Sequence, residues 1–255
     1  PREPASSMPL VWQAPDFGFY GFRNAWKDEN DIVAQVFLKA HHIGGWNGAN
    51  AGTFRIAGLG KIWAAGPEGR ERRRWHESVV WLPNDDHYEN ALGRLLYLHT
   101  EEDGSGVVSI DLNDVYSARP EKRLYAPYGG GRHDWAFKPS GIEGMRSFAV
   151  DYSGRCGAPA LFAMVDKIRG GKEKVWLWQL NRETKGRQSV LPEVVVGDDC
   201  FTIRQGDATL HATFLSPAPV KIQAGSREME LTISAGHKAG QKTTVSFDAV
   251  FATGG

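Results

Sequence analysis

Lys174–Leu180 reads KVWLWQL, and this heptapeptide demands two layers of structure around it. Side chains of an extended chain alternate between faces, so Val175, Leu177 and Gln179 share one side while Trp176, Trp178 and Leu180 share the other. Both sides are largely apolar, and a strand of that kind is covered on both faces. On either side of it the chain repeats one theme: apolar and β-branched runs of about four to nine residues, separated by Gly, Pro, Asn or Asp clusters, with almost no sustained helical periodicity. Predicted strands cover 17–26, 31–40, 53–58, 78–82, 94–100, 106–112, 146–152, 160–168, 174–180, 200–206, 208–215, 228–235 and 242–251. That is more than one open sheet usually holds before it splits. The pattern predicts an all-β fold, a large two-sheet antiparallel β-sandwich with little helix. The one candidate helix is the DDHYENALGRLL stretch, with Asp85 or Asp86 as its cap.

Composition narrows the function. At 255 residues the chain is long enough to bury one large core, and it is read as a single domain over 1–255. Thirty basic and thirty acidic residues cancel, which argues against a nucleic-acid partner or an anionic membrane surface. Apolar runs such as Val79–Leu82 are far shorter than the roughly 20 residues of a membrane helix. The opening PREPASSMPL lacks a charged start followed by an apolar run, and the chain reads as a mature or excised piece of a longer protein. Cys156 and Cys200 allow one disulfide or two thiols, a choice that spacing leaves open. Nucleophile-elbow, phosphate-loop, dinucleotide-binding and Cys-x-x-Cys patterns are missing from the sequence.

The chemistry-bearing residues gather between His41 and His76, HHIGGWNGANAGTFRIAGLGKIWAAGPEGRERRRWH. Glycines at 44, 45, 48 and 52 let this segment curl and aim Trp46, Asn47 and Asn50 at a ligand. Arg70, Arg72, Arg73 and Arg74 form the strongest local charge, and guanidinium groups suit carboxylate or sulfate. On a strand, Arg72 and Arg74 would share a face. A second glycine-rich stretch, YAPYGGGRHDW at 125–135, presents Tyr128 and His133.

An ordered series of motifs carries a family resemblance: FYGFRNAW, NGANAGTFRIAGLGKIWA, RRRWHESVVWL, VWLWQL and GDATLHATFLSP. Together they make the chain resemble the C-terminal β-sandwich of the heparinase II/III-like polysaccharide lyases. The resemblance implies the C-terminal part of a multidomain protein, with an N-terminal helical toroid as its partner, an acidic polysaccharide as its substrate, and a periplasmic or extracellular location. It also implies that the sandwich alone is inactive. The family's loop carries two histidines and an acidic residue before a Gly-x-Phe; here those positions read Trp46, Gly48 and Asn50, ahead of Gly52, Thr53 and Phe54. A later family histidine is matched by His76, while the metal-binding aspartate has only Glu68 in its place.

Zinc needs three or four ligands at about 2.0–2.3 Å, and His42, Glu68 and His76 are the candidate trio. β-Elimination on a uronate needs its carboxylate neutralised, a base for the α-proton and an acid for the leaving oxygen. His42 and His76 are the candidate catalytic residues, since histidine titrates near neutrality. Trp46, Asn47, Asn50, Arg72, Arg74 and Tyr128 are the candidate substrate ligands. The competing expectation is a carbohydrate-binding or structural sandwich that has lost the catalytic and metal histidines.

Overall fold

The structure, a computed structural model, describes residues 8–41, 49–66, 73–85, 91–120, 137–215, 219–232 and 241–254. Strands β1 (Val11–Ala14), β2 (Phe19–Arg23), β3 (Val33–Phe37), β4 (Thr53–Gly58) and β5 (Lys61–Ala64) form a sequential antiparallel sheet. They are followed by a 3₁₀ turn at Arg74–His76, β6 (Val80–Trp81), β7 (Arg94–Thr100), β8 (Gly106–Asp111), a one-turn helix α1 (Asn113–Ser117), β9 (Ala118–Pro120) and β10 (Phe137–Pro139). Next come β11 (Glu143–Asp151), β12 (Leu161–Arg169), β13 (Val175–Gln179), β14 (Glu183–Lys185), β15 (Gln188–Val190) and β16 (Glu193–Val196). The last four are β17 (Cys200–Gln205), β18 (Ala208–Thr213), β19 (Val220–Thr232) and β20 (Lys242–Gly254).

The fold is an all-β, sandwich-like assembly of antiparallel sheets. The expected pair of large sheets is divided further, into β1–β5, the orders β12-β11-β8-β7 and β19-β20-β13-β6, a β16–β18 sheet, and two short ribbons. Strand β13 lies between layers, as its alternation requires. Val175 and Leu177 join Trp81, Phe247 and Ala249 in one apolar cluster, while Trp178 joins the main core on the opposite face. Phe54 of the first sheet ties the layers together, its ring 5.1 Å from Trp178 and 5.6 Å from Phe148. Trp178 continues the aromatic chain to Phe201 at 5.8 Å. Aromatic pairs at these separations contribute beyond the area they bury.

Helix α1 forms where the chain turns at Asn113, whose N–H donates to Asp111 Oδ1 (2.8 Å). The predicted strand over 94–100 forms as β7 and takes Arg94, Leu95 and Leu96 from the candidate helix over 85–96; residues 86–90 lie outside the described residues. Cys156 and Cys200 are both free thiols, Cys156 exposed. Among the described residues no helix is long and apolar enough to cross a membrane.

Candidate functional site at the His76 turn

Two buried arginines hold the backbone that presents His76. Arg74 has no exposed surface; its Nη1 donates to the carbonyls of Ala49 and Ala51, and its Nη2 donates to the Tyr116 hydroxyl at 3.1 Å. The Tyr116 hydroxyl in turn donates to Val80 O at 2.9 Å, and burial pushes its phenol up from the usual range. Arg146, 1% exposed, donates to Gly52 O and Ser78 O, each at 2.7 Å. Its other donors grip Asp166 at 2.7 and 2.8 Å. Burial alone would pull this guanidinium down, and the Asp166 carboxylate outweighs that and raises it. Loop carbonyls beside a core lack sheet partners, and a guanidinium with five donors satisfies several at once.

The sequence groups Arg74 with Arg72 as a substrate ligand; the structure puts Arg74 in the interior instead. It sits in a 3₁₀ turn, where strand parity does not apply, and its hydrogen bonds are to the protein itself. Lys39, 2% exposed with a left-handed φ of 56°, lies in the same charged cluster. Burial, aided by repulsion from Arg74 and opposed by Glu77, brings its amine down to about 7. Glu77 is also fully buried, with Arg55 Nη2 at 3.9 Å.

His76 closes the turn and points the other way, at a groove of about 600 Å³. Gln179 straddles it: Nε2 donates to Trp75 O at 2.9 Å and to Glu77 O at 3.1 Å, the residues on either side. His76 Nε2 lies 3.2 Å from Ser246 O. A carbonyl only accepts, so Nε2 carries the hydrogen in that bond, and in the neutral ring Nδ1 then carries the lone pair. Nδ1 is buried and has no partner among the described residues. Proton transfer at Nε2 requires release of the Ser246 carbonyl, and transfer at Nδ1 requires its cover to shift.

Across the groove, Arg182 makes a two-pronged pair with Asp248 (2.7 and 2.9 Å), and Ser226 Oγ donates to Asp248 Oδ1 at 2.6 Å. Arg227 and Glu228 also line it. Sequence reading missed all five of these residues. The one available signal was polar alternation in β19 and β20, which also describes an ordinary solvated face.

Of the other expected site residues, Asn50 is half-buried and its Oδ1 has no hydrogen-bond partner among the described residues. His42, Trp46, Asn47, Glu68, Arg72 and Tyr128 lie outside the described residues. His76 is therefore the one described member of the candidate zinc trio, and among the described residues no group of three His, Cys, Asp or Glu is placed to hold a metal ion.

The crystal structure of heparinase III has a similar arrangement, superposing over 99% of this chain with a TM-score of 0.52 and 13% sequence identity. The likeness is one of fold. This chain spans 37% of the heparinase III chain it matches. Neither a protein-family model nor a curated protein sequence matches the chain.

Proposed function

We propose that this chain is the sandwich part of a polysaccharide lyase-like protein that cleaves acidic, uronate-containing glycans by β-elimination, with the His76 groove forming one wall of an interdomain active site. The observation that carries the reading is a single histidine, pinned on both flanks by Gln179, at a groove that also holds Arg182 and Arg227. The heparinase III fold likeness supports it. In this reading His76 is the base that takes the proton α to the carboxylate, and an arginine of the groove or Arg72 offsets the developing charge. The groove supplies one wall only, so the sandwich by itself turns over no substrate. Incubating the full-length parent with alginate, heparan sulfate and related uronate glycans, and following the ultraviolet absorbance of the unsaturated product, tests it. Activity that disappears in His76→Ala is the expected result; a folded parent silent on every uronate glycan removes the lyase reading.

A second reading is a carbohydrate-binding or structural sandwich without catalysis. The hidden Nδ1 of His76 and the inward Arg74 favour it. Glycan binding by a parent that never forms unsaturated product would select it.

A further inference from the structure

The outer face of the first sheet carries a row of residues running across the strands. Register sets Trp12 beside Gly21, Gly21 beside Gln35 and Gln35 beside Arg55, one residue from each of β1 to β4. Their chain neighbours Phe22, Ala34 and Phe54 are fully buried in the core, so by strand alternation the row faces outward. A Cβ on Gly21 would overlap the Trp12 ring, and only glycine at this position lets the indole lie flat on β2. Trp26 stands beside it, ring centroids 6.2 Å apart. Its Nε1 donates to Pro9 O at 3.0 Å, and the Arg23 guanidinium lies 4.1 Å from its centroid. Both indoles remain half-buried, so they form a rigid aromatic platform at the surface.

Arg55 marks the other end of the row. Its side chain is 43% exposed, and its guanidinium lies against Gly66. Gly66 in turn lines the His76 groove. From platform to Arg55 the row crosses three strand spacings, about 14 Å, and Arg55 then leads into the groove.

We propose that this row is a binding track for an extended acidic glycan chain, which stacks on Trp12 and Trp26, passes Gln35 and Arg55, and enters the groove at His76. The proposal deepens the glycan reading above and rests on it. The C–H face of a sugar ring is apolar and stacks on an indole. An amide offers both a donor and an acceptor to hydroxyls, and a guanidinium pairs with carboxylate or sulfate through two parallel bonds. Three chemistries strung in a line suit a polymer, because a single sugar reaches only one of them. Charge selects the acidic polymer: Arg55 lies 3.9 Å from the buried Glu77 yet keeps 43% of its side chain exposed where the track meets the groove.

The test uses the 255-residue chain with size-defined alginate and heparan sulfate oligomers, and dextran oligomers as the neutral control. Calorimetry should give an affinity that rises with oligomer length. Trp12→Ala should weaken the longest oligomers about ten-fold and leave the shortest unchanged, while Arg55→Gln should flatten the salt dependence. In the unmodified chain, the indole N–H resonances of Trp12 and Trp26 should shift on adding long acidic oligomers and stay still with dextran; this readout does not depend on a variant folding. Long oligomers that bind Trp12→Ala as tightly as the parent chain, or unmoved indole resonances during binding, overturn the track and leave the glycan reading standing. Failure of the unmodified chain to bind any acidic oligomer likewise overturns the track, while the lyase reading stands or falls on the parent's activity.

Discussion

Replacing Lys39 with Met should remove a pH dependence of stability that one buried amine creates. The side chain is 2% exposed, and burial, with Arg74 repelling and Glu77 attracting, brings its amine from 10.5 down to about 7. Because the folded value lies below the unfolded one, the unfolded chain binds more protons between them, and stability rises with pH across that window. From pH 7 to pH 9 the gain is about 2 kcal/mol, and over the whole window on the order of 5 kcal/mol. Below pH 7 the amine is charged in both states and adds no slope. Methionine keeps much of the side-chain length and the same left-handed backbone demand while carrying no proton. Denaturant unfolding followed by tryptophan fluorescence at pH 6, 7, 8 and 9, for both proteins in the same buffers, isolates this one group. The unmodified chain should gain on Lys39→Met by about 2 kcal/mol between pH 7 and 9. A difference between the two that stays constant over that range would refute the reasoning, since it would mean the buried amine does not change charge there.

Arg146→Ala should destabilise by about 3–5 kcal/mol, because it strands the mostly buried Asp166 and releases the carbonyls of Gly52 and Ser78; chemical denaturation reads it. Phe54→Ala should cost about 3–5 kcal/mol, since its ring meets both Trp178 and Phe148 at the centre of the layers. Arg74→Met should lower the melting temperature while leaving glycan affinity in the folded protein unchanged, a pairing that calorimetry and thermal unfolding resolve together; weakened binding at full stability would return Arg74 to the substrate.

Much of the fold was legible because strand alternation is local. The seven residues of KVWLWQL carry the two-layer position of β13 in their order alone, and Val175 and Leu177 do face a different cluster from Trp178. The candidate site was legible only in part. His76 could be picked out from its neighbours, but the fate of Arg74 depended on Ala49, Ala51 and Tyr116, partners far away in sequence. A guanidinium in an arginine-rich turn looks the same in sequence whether it meets a sugar or the interior. The groove was likewise invisible, because Arg182 and Asp248 meet only once β13 and β20 have paired. Periodicity governs which face a side chain takes, and a window of a few residues suffices to read it. Which strands become neighbours, and which charges therefore lose their water, is settled by contacts between distant segments, so it emerged only from the folded molecule.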